Sequence, residues 1–242
     1  MKATREIQER LLALQQLDSD LIQIKHKAST LPIAKKFDEV SKELQAKRDL
    51  LVAANTERLD IKHELSRAEV DVEQVVSRIE RDEKRLSSGQ GTPKELEQLQ
   101  HELGSLAKRR AELEEVELEI MVRVEGIDLR IKELESECAA LETQVNDLRV
   151  KKDEELSSLE SSAKSTTDSR TDLAPTIDAE LLALYEKMRA SGDGVGAAKL
   201  AGNQCLGCHL TMNSAELTRI KALPDDEVVR CEECRRILIR LD

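Results

Sequence analysis

Four of the five cysteines stand in two Cys-x-x-Cys pairs, Cys205-Leu-Gly-Cys208 and Cys231-Glu-Glu-Cys234, with 22 residues between the pairs. Two residues between cysteines let both thiolates of a tight turn reach one ion, and two such turns close a tetrahedron around it. The pattern predicts a single structural Zn2+ with four cysteine ligands in a zinc ribbon; redox dithiols or an iron–sulfur site are the competing chemistries. With four protein ligands no position stays open for water, so the ion is expected to fold the segment and not to catalyse. The apolar stretches VVRC and RRILIRL suit short strands. A ribbon of about 45 residues without an aromatic residue has too little core to fold without the metal.

Other groups offer less chemistry. His209 adjoins Cys208, but four thiolates already fill the shell, and it is read as a solvated neighbour. His26, His63 and His101 are isolated on charged helix faces. From Ala197 to Asp242 seven basic residues face seven acidic ones, so the ribbon as a whole is not basic. Arg235, Arg236 and Arg240 could form one positive edge for RNA or DNA, against the plainer reading of solvated arginines; the aromatic platforms that usually stack single strands are missing. No nucleophile and base stand at useful spacing and no glycine-rich phosphate loop occurs, so neither an enzyme nor a small-molecule substrate is expected.

The elements that position the cysteines are set by composition. Of 242 residues 36% are charged and 1% aromatic, with no Trp, which suits long helices burying a thin aliphatic seam better than a compact core. The net charge of −11 argues against coating nucleic acid or anionic membrane along the whole length. No apolar run approaches the roughly 18 residues of a membrane span, and the charged start MKATREIQERLL lacks a signal pattern, so a cytoplasmic location is expected.

Stepping alternately by four and three from Ile33 to Leu86 meets apolar residues at every position except Lys47, Arg58 and Asp82. The same stepping from Leu96 to Leu148 is interrupted by Arg110 and Glu117 alone. A sustained 3.5-residue period is a coiled-coil seam. If the chain reverses near residue 90, seam partners such as Leu86 and Leu96, Ile61 and Ile120, and Leu44 and Cys138 have numbers summing to 181 or 182, so the stripes mirror each other without a slip. Between them SSGQGTPKEL supplies Gly89 and Gly91 for the reversal, Thr92 as N-cap, Pro93 as first helical residue and Glu95 to complete a capping box. The expected fold is mainly α, a long antiparallel coiled-coil hairpin followed by a small C-terminal zinc ribbon. An intermolecular coiled coil or a dimer of hairpins is the competing use of the seam. Cys138, on the seam, reads as a small buried apolar residue.

Domain boundaries are expected at 1–172 for the hairpin, with its tip at 87–95 and a break near Pro32, and at 173–242 for a helix plus the ribbon. The Ser/Thr-rich run 157–175 is open between a helix weakly paired with the first 30 residues and a linker. A helix over 176–189 is expected to be capped by Thr176, and the glycine-rich ASGDGVGAAKLAG marks the passage to the ribbon.

Pro93-Lys94-Glu95-Leu96 at the turn, Leu184-Tyr185-Glu186, and the closing Cys234-Arg235-Arg236-Ile237-Leu238 together resemble the bacterial C4-type zinc-ribbon proteins built on a long coiled-coil hairpin, over nearly the whole chain. The family usually has Asn before the tip proline, where this chain has Thr92. After the first and second cysteines of the last knuckle it usually has Pro and Gly, where this chain has Glu232 and Arg235. The resemblance implies a non-enzymatic adaptor; members are linked to flagellar or type III secretion and to an alternative sigma factor, with RNA binding also proposed. The leading expectation is a scaffold that binds protein partners through the tip residues Pro93, Lys94 and Glu95 and through the ribbon. The tip as a mere turn, and nucleic-acid binding by Arg235, Arg236 and Arg240, are the alternatives.

Overall fold

The computed structural model describes residues 1–240; Leu241 and Asp242, the end of the expected 173–242 segment, lie outside the described residues. In order along the chain come α1 (Arg5–Ser29), α2 (Pro32–Ser87), α3 (Pro93–Leu173), a 3-10 turn (Ala174–Thr176), α4 (Ala179–Ser191), β1 (Ala197–Ala201), β2 (Gln204–Cys205), α5 (Ser214–Lys221), β3 (Val229–Arg230) and β4 (Ile237–Ile239). The chain divides into two compact units, Lys36–Leu148 and Met1–Lys35 with Arg149–Asp242. That division does not coincide with a boundary at 172/173, because the first 35 residues and everything after Leu148 cluster with the ribbon.

In the unit Lys36–Leu148, α2 and α3 pack antiparallel through the predicted seam. Ala54, Ile61 and Ala68 of α2 are buried against Ile120, Ile127, Ile131 and Leu134 of α3, and Leu44 against Cys138 and Leu141. Alanines on one helix opposite isoleucines on the other let a two-helix seam close without aromatic filler. Polar residues on the stripe escape sideways: Lys47 reaches Glu137 at 2.6 Å and Arg58 reaches Asp128 at 3.6 Å. Cross-helix pairs Arg48–Glu142 and Glu64–Arg123 flank the seam at 2.6 and 2.7 Å. Exposed pairs of this kind contribute up to about 1 kcal/mol each, so they fix register more than they stabilise.

In the other unit, α1 begins at an N-cap, Thr4, whose hydroxyl accepts from Ile7 N. It stops at Ser29, and α2 restarts at Pro32, where the missing N–H costs a helix nothing. The run 157–175 is helical to Leu173. Ser162, Thr166, Thr167, Ser169 and Thr171 each donate a hydroxyl hydrogen bond to the carbonyl four residues back, so these side chains are satisfied within the helix. The half-buried stripe continues from Leu148 through Lys152, Leu156, Leu159, Ala163, Thr166, Arg170 and Leu173. Thr176 does not cap α4: its hydroxyl donates to Leu173 O within the 3-10 turn, and the Asp178 carboxylate accepts from Glu180 N and Leu181 N at 3.0 and 3.3 Å.

The four strands form one sheet in the order β2-β1-β4-β3, with β1 parallel to β4 and the other neighbours antiparallel. Alternation along β4 gives the sheet two covered faces: Ile237 and Ile239 join Leu11, Leu14, Leu181 and Tyr185 of α1 and α4, while Leu238 joins Ile220 of α5, Met212, Cys205 and Cys231. The buried stripe of α1 includes Gln8, Gln15 and Asp18. Gln15 Oε1 accepts from Gly196 N and Ala197 N at 2.7 and 3.2 Å, satisfying amides at the start of β1. Gly196 is required there, because a Cβ would lie 2.6 Å from Tyr185 O. Asp18, 2% exposed, accepts from Tyr185 Oη at 2.6 Å, Arg170 Nε at 2.7 Å and Arg189 Nη1 at 3.2 Å. Burial, then the bond to Asp18, pushes the Tyr185 phenol well above its ordinary range.

Two outcomes follow from this packing. Ile127→Ala costs about 3 kcal/mol in urea unfolding followed by circular dichroism, whereas Val122→Ala, at a 67% exposed site, stays within about 0.5 kcal/mol. Asp18→Ala leaves the buried phenol without its acceptor and both guanidiniums with Glu186 alone, and costs about 3 kcal/mol, read through the fluorescence of the single tyrosine.

Candidate functional sites: the four-cysteine centre and the hairpin turn

The four cysteines sit on two turns of the same construction. In the first, His209 N donates to Cys205 O at 2.8 Å, and in the second Arg235 N donates to Cys231 O at 2.9 Å. The residue after the second cysteine of each turn is left-handed, His209 with φ 61 and Arg235 with φ 63. Arg235 thus holds the conformation a glycine would adopt freely, at a modest cost in strain. His209 is exposed.

The turns bring Cys205, Cys208, Cys231 and Cys234 together, with all four sulfurs within 4.8 Å of one another. Cys205 Sγ lies 3.9 Å from Cys234 Sγ, and Cys208 Sγ 4.0 Å from Cys231 Sγ. A zinc–thiolate bond of about 2.3 Å gives a tetrahedron with edges of about 3.8 Å, so the sulfur cage has the size of a Zn2+ tetrathiolate. Cys205 and Cys231 are buried, Cys208 and Cys234 half-buried. Burial pushes the Cys231 thiol up to about 12 and raises that of Cys205. Burial also works against ionisation of Cys234, but hydrogen bonds from Arg236 N–H and from the neighbouring thiols outweigh it and hold this thiol below its ordinary value.

The three arginines do not form one positive edge. Arg236 donates to Val195 O, Gly207 O and Gly192 O at 3.1, 2.6 and 2.9 Å. Arg240 donates to Ile220 O, Leu223 O, Pro224 O and Glu227 O at 2.6 to 3.1 Å, capping the carbonyl end of α5. A carbonyl oxygen has two lone pairs, so a guanidinium fork bonds several carbonyls at once even where a backbone N–H already donates, as Val195 N does to Gly192 O and Glu227 N to Pro224 O. Arg235 alone is exposed, and Arg219 pairs with Glu232 at 2.6 Å.

The turn between α2 and α3 carries the predicted chemistry. Gly89 and Gly91 have φ 68 and 148. Thr92 N and Oγ1 donate to Glu95 Oε2 at 2.7 and 2.9 Å, and Glu95 N donates back to Thr92 Oγ1 at 3.4 Å, a reciprocal capping box. The Thr92 N–H, then its hydroxyl, hold the Glu95 carboxyl below the usual carboxylate range. The Glu95 carboxylate is therefore committed to the turn, while Lys94 and Pro93 project into solvent.

The buried groups on α1 escaped sequence reasoning. Leu11 and Leu14 share their buried face with Gln8, Gln15 and Asp18. Polar residues at buried positions imitate a surface face, and no signal in a single sequence separates them.

Because Cys205 and Cys231 hold their protons at neutral pH, each bound ion must displace protons, so affinity rises with pH. Competition with a chromophoric chelator is expected to show zinc affinity falling steeply between about pH 8 and about pH 6. Stripping the ion is expected to remove the sheet contribution to circular dichroism and leave the long helices. At the turn, the cap is present above the ordinary carboxylate pKa and is lost as pH falls through the depressed value; an NMR titration of Glu95 checks this.

Residues 14–193 match the profile of the CT398-like coiled coil hairpin domain, and residues 204–238 that of the C4-type zinc ribbon domain. An uncharacterized protein of Mycobacterium tuberculosis, Rv2229c, is 36% identical over 242 residues, covering 100% of this chain and 98% of its own. A solved structure from Mycobacterium smegmatis superposes with a TM-score of 0.88 at 33% identity, with 100% of both chains covered. The CT398 structure from Chlamydia trachomatis shares the fold, with a TM-score of 0.71 at 19% identity over 98% of each chain. With the hairpin seam, the capped turn and the four-sulfur cage all in place, the chain belongs to the CT398-like coiled-coil hairpin family and carries a C4-type zinc ribbon.

Proposed function

We propose that this chain is a non-enzymatic adaptor that engages protein partners through the hairpin turn and through the zinc ribbon, a folded, metal-fixed module that follows α4. The observation that carries this reading is the turn itself: a capping box holds its backbone rigid while Pro93 and Lys94 are exposed. A preorganised, solvent-facing turn loses little entropy on docking. Four thiolates closing one ion support a structural metal without a reactive position. No helix among the described residues is long and apolar enough to cross a membrane.

The nucleic-acid alternative draws less support. Two of the three candidate contacts, Arg236 and Arg240, are engaged by backbone carbonyls, which leaves Arg235 as the exposed cation of the three. RNA and DNA titrations at several salt concentrations separate the readings: a salt-steep affinity that weakens on Arg235→Ala favours the ribbon as a phosphate-binding face.

The test of the adaptor is affinity capture from the native cytosol with a photo-crosslinker placed at the turn. Intact protein and Lys108→Glu, a charge change elsewhere on α3, are expected to retain the same specific proteins, and Lys94→Glu to lose them. Equal retention by all three reduces the turn to a connection between helices. Glu95→Ala is the less informative variant, since it removes the cap and frays the turn as well.

A further inference from the structure

Arg236 touches both knuckles of the metal centre, one through its backbone and the other through its side chain. Its carbonyl accepts from Cys231 N at 2.9 Å. Its guanidinium crosses to the first knuckle and donates to Gly207 O, between Cys205 and Cys208, at 2.6 Å. The remaining donors reach Gly192 O and Val195 O at 2.9 and 3.1 Å, in the loop that follows α4. The stem packs as closely as the fork bonds: a Cβ on Gly207 would stand 2.8 Å from Arg236 Cδ. One residue thus spans both halves of the sulfur cage and the loop 192–195.

We propose that Arg236 is the positioning residue of the four-cysteine centre, and that through it the retention of zinc is linked to the ordering of the loop 192–195. The guanidinium holds Gly207 O, and with it the turn that aims Cys205 and Cys208, at a fixed distance from the turn that aims Cys231 and Cys234. Without the fork, Gly207 O loses its charge-assisted donor and the first pair of sulfurs is free to swing away from the ion, which lowers the barrier to release. Groups that orient metal ligands from one bond further out carry roughly 10- to 100-fold in metal affinity. Lysine is a poor substitute, because a single ammonium cannot match three carbonyls that diverge around a planar fork. Linkage makes the effect reciprocal: an ion that fixes the first knuckle also fixes the acceptor geometry at Gly192 and Val195.

The test uses the full chain loaded with zinc, followed by excess chromophoric chelator and by hydrogen exchange at the amides of residues 192–196. Arg236→Ala is expected to release zinc at least about tenfold faster than the intact chain, with Arg236→Lys in between. Zinc removal is expected to raise exchange at 192–196 in the intact chain, and Arg236→Ala to show that raised exchange with zinc still bound. Arg240→Ala is the control for general loosening of the ribbon: it removes four hydrogen bonds to carbonyls around the end of α5 and is expected to lower the thermal midpoint while leaving the release rate close to that of the intact chain. Release from Arg236→Ala at the intact rate, or equal acceleration by Arg240→Ala, overturns the proposal. If Arg236→Ala does not fold, Arg236→Lys decides by the same two readouts.

Discussion

A carboxylate withdrawn from water must be met by positive charge and hydrogen-bond donors, or it stays protonated. Asp18 meets that demand with three partners drawn from different parts of the chain: Arg170 near the end of α3, and Tyr185 and Arg189 on α4. Glu186 accepts from both arginines in turn and balances their second charge. Such a cluster contributes little net stability compared with well-packed aliphatic residues, but each wrong arrangement of these helices strands at least one charge or phenol. The helices that carry the ribbon are in this way specified more than they are glued.

The ribbon built on that platform has two faces and a charged interior logic of its own. Alternation along β4 sends Ile237 and Ile239 to the helices α1 and α4 and Leu238 to α5. Arginine does structural service at both margins, with Arg236 on the loop after α4 and Arg240 on the end of α5. Seven bonds from two side chains to backbone carbonyls add charged donors to the backbone bonds of these loops.

The parts of this fold that obey a period were legible from residues alone. The seam, the capping box at Thr92 and Glu95, and the four sulfurs each rest on short-range spacing, and each is found where the spacing placed it, the seam in clusters that join Val40 to Ala68 with Ile120 to Val145. Three other features were hidden for separate physical reasons. The stretch 157–175 looks like a linker because it is rich in Ser and Thr, and composition does not reveal that these hydroxyls bond to carbonyls of their own helix. The buried face of α1 was hidden in part because glutamine and aspartate occupy core positions beside Leu11 and Leu14. Arg236 and Arg240 looked like a binding surface because nothing in a sequence tells a guanidinium that faces solvent from one that faces carbonyls 41 and 20 residues away.

The mirror symmetry of the seam also dictates an order of events when the chain folds. Contacts near the turn join residues close in sequence, as with Arg78 and Glu102, 24 apart, while Arg123 and Glu64 are 59 apart and Arg48 and Glu142 are 94 apart. Closing a loop costs entropy that grows with its length, so each pair is cheapest to form once its neighbour nearer the turn is in place. Loop entropy therefore favours helix pairing that starts at the glycines and travels outward like a zipper, which makes the short reversal between Ser87 and Pro93 the cheapest place for pairing in the unit Lys36–Leu148 to begin.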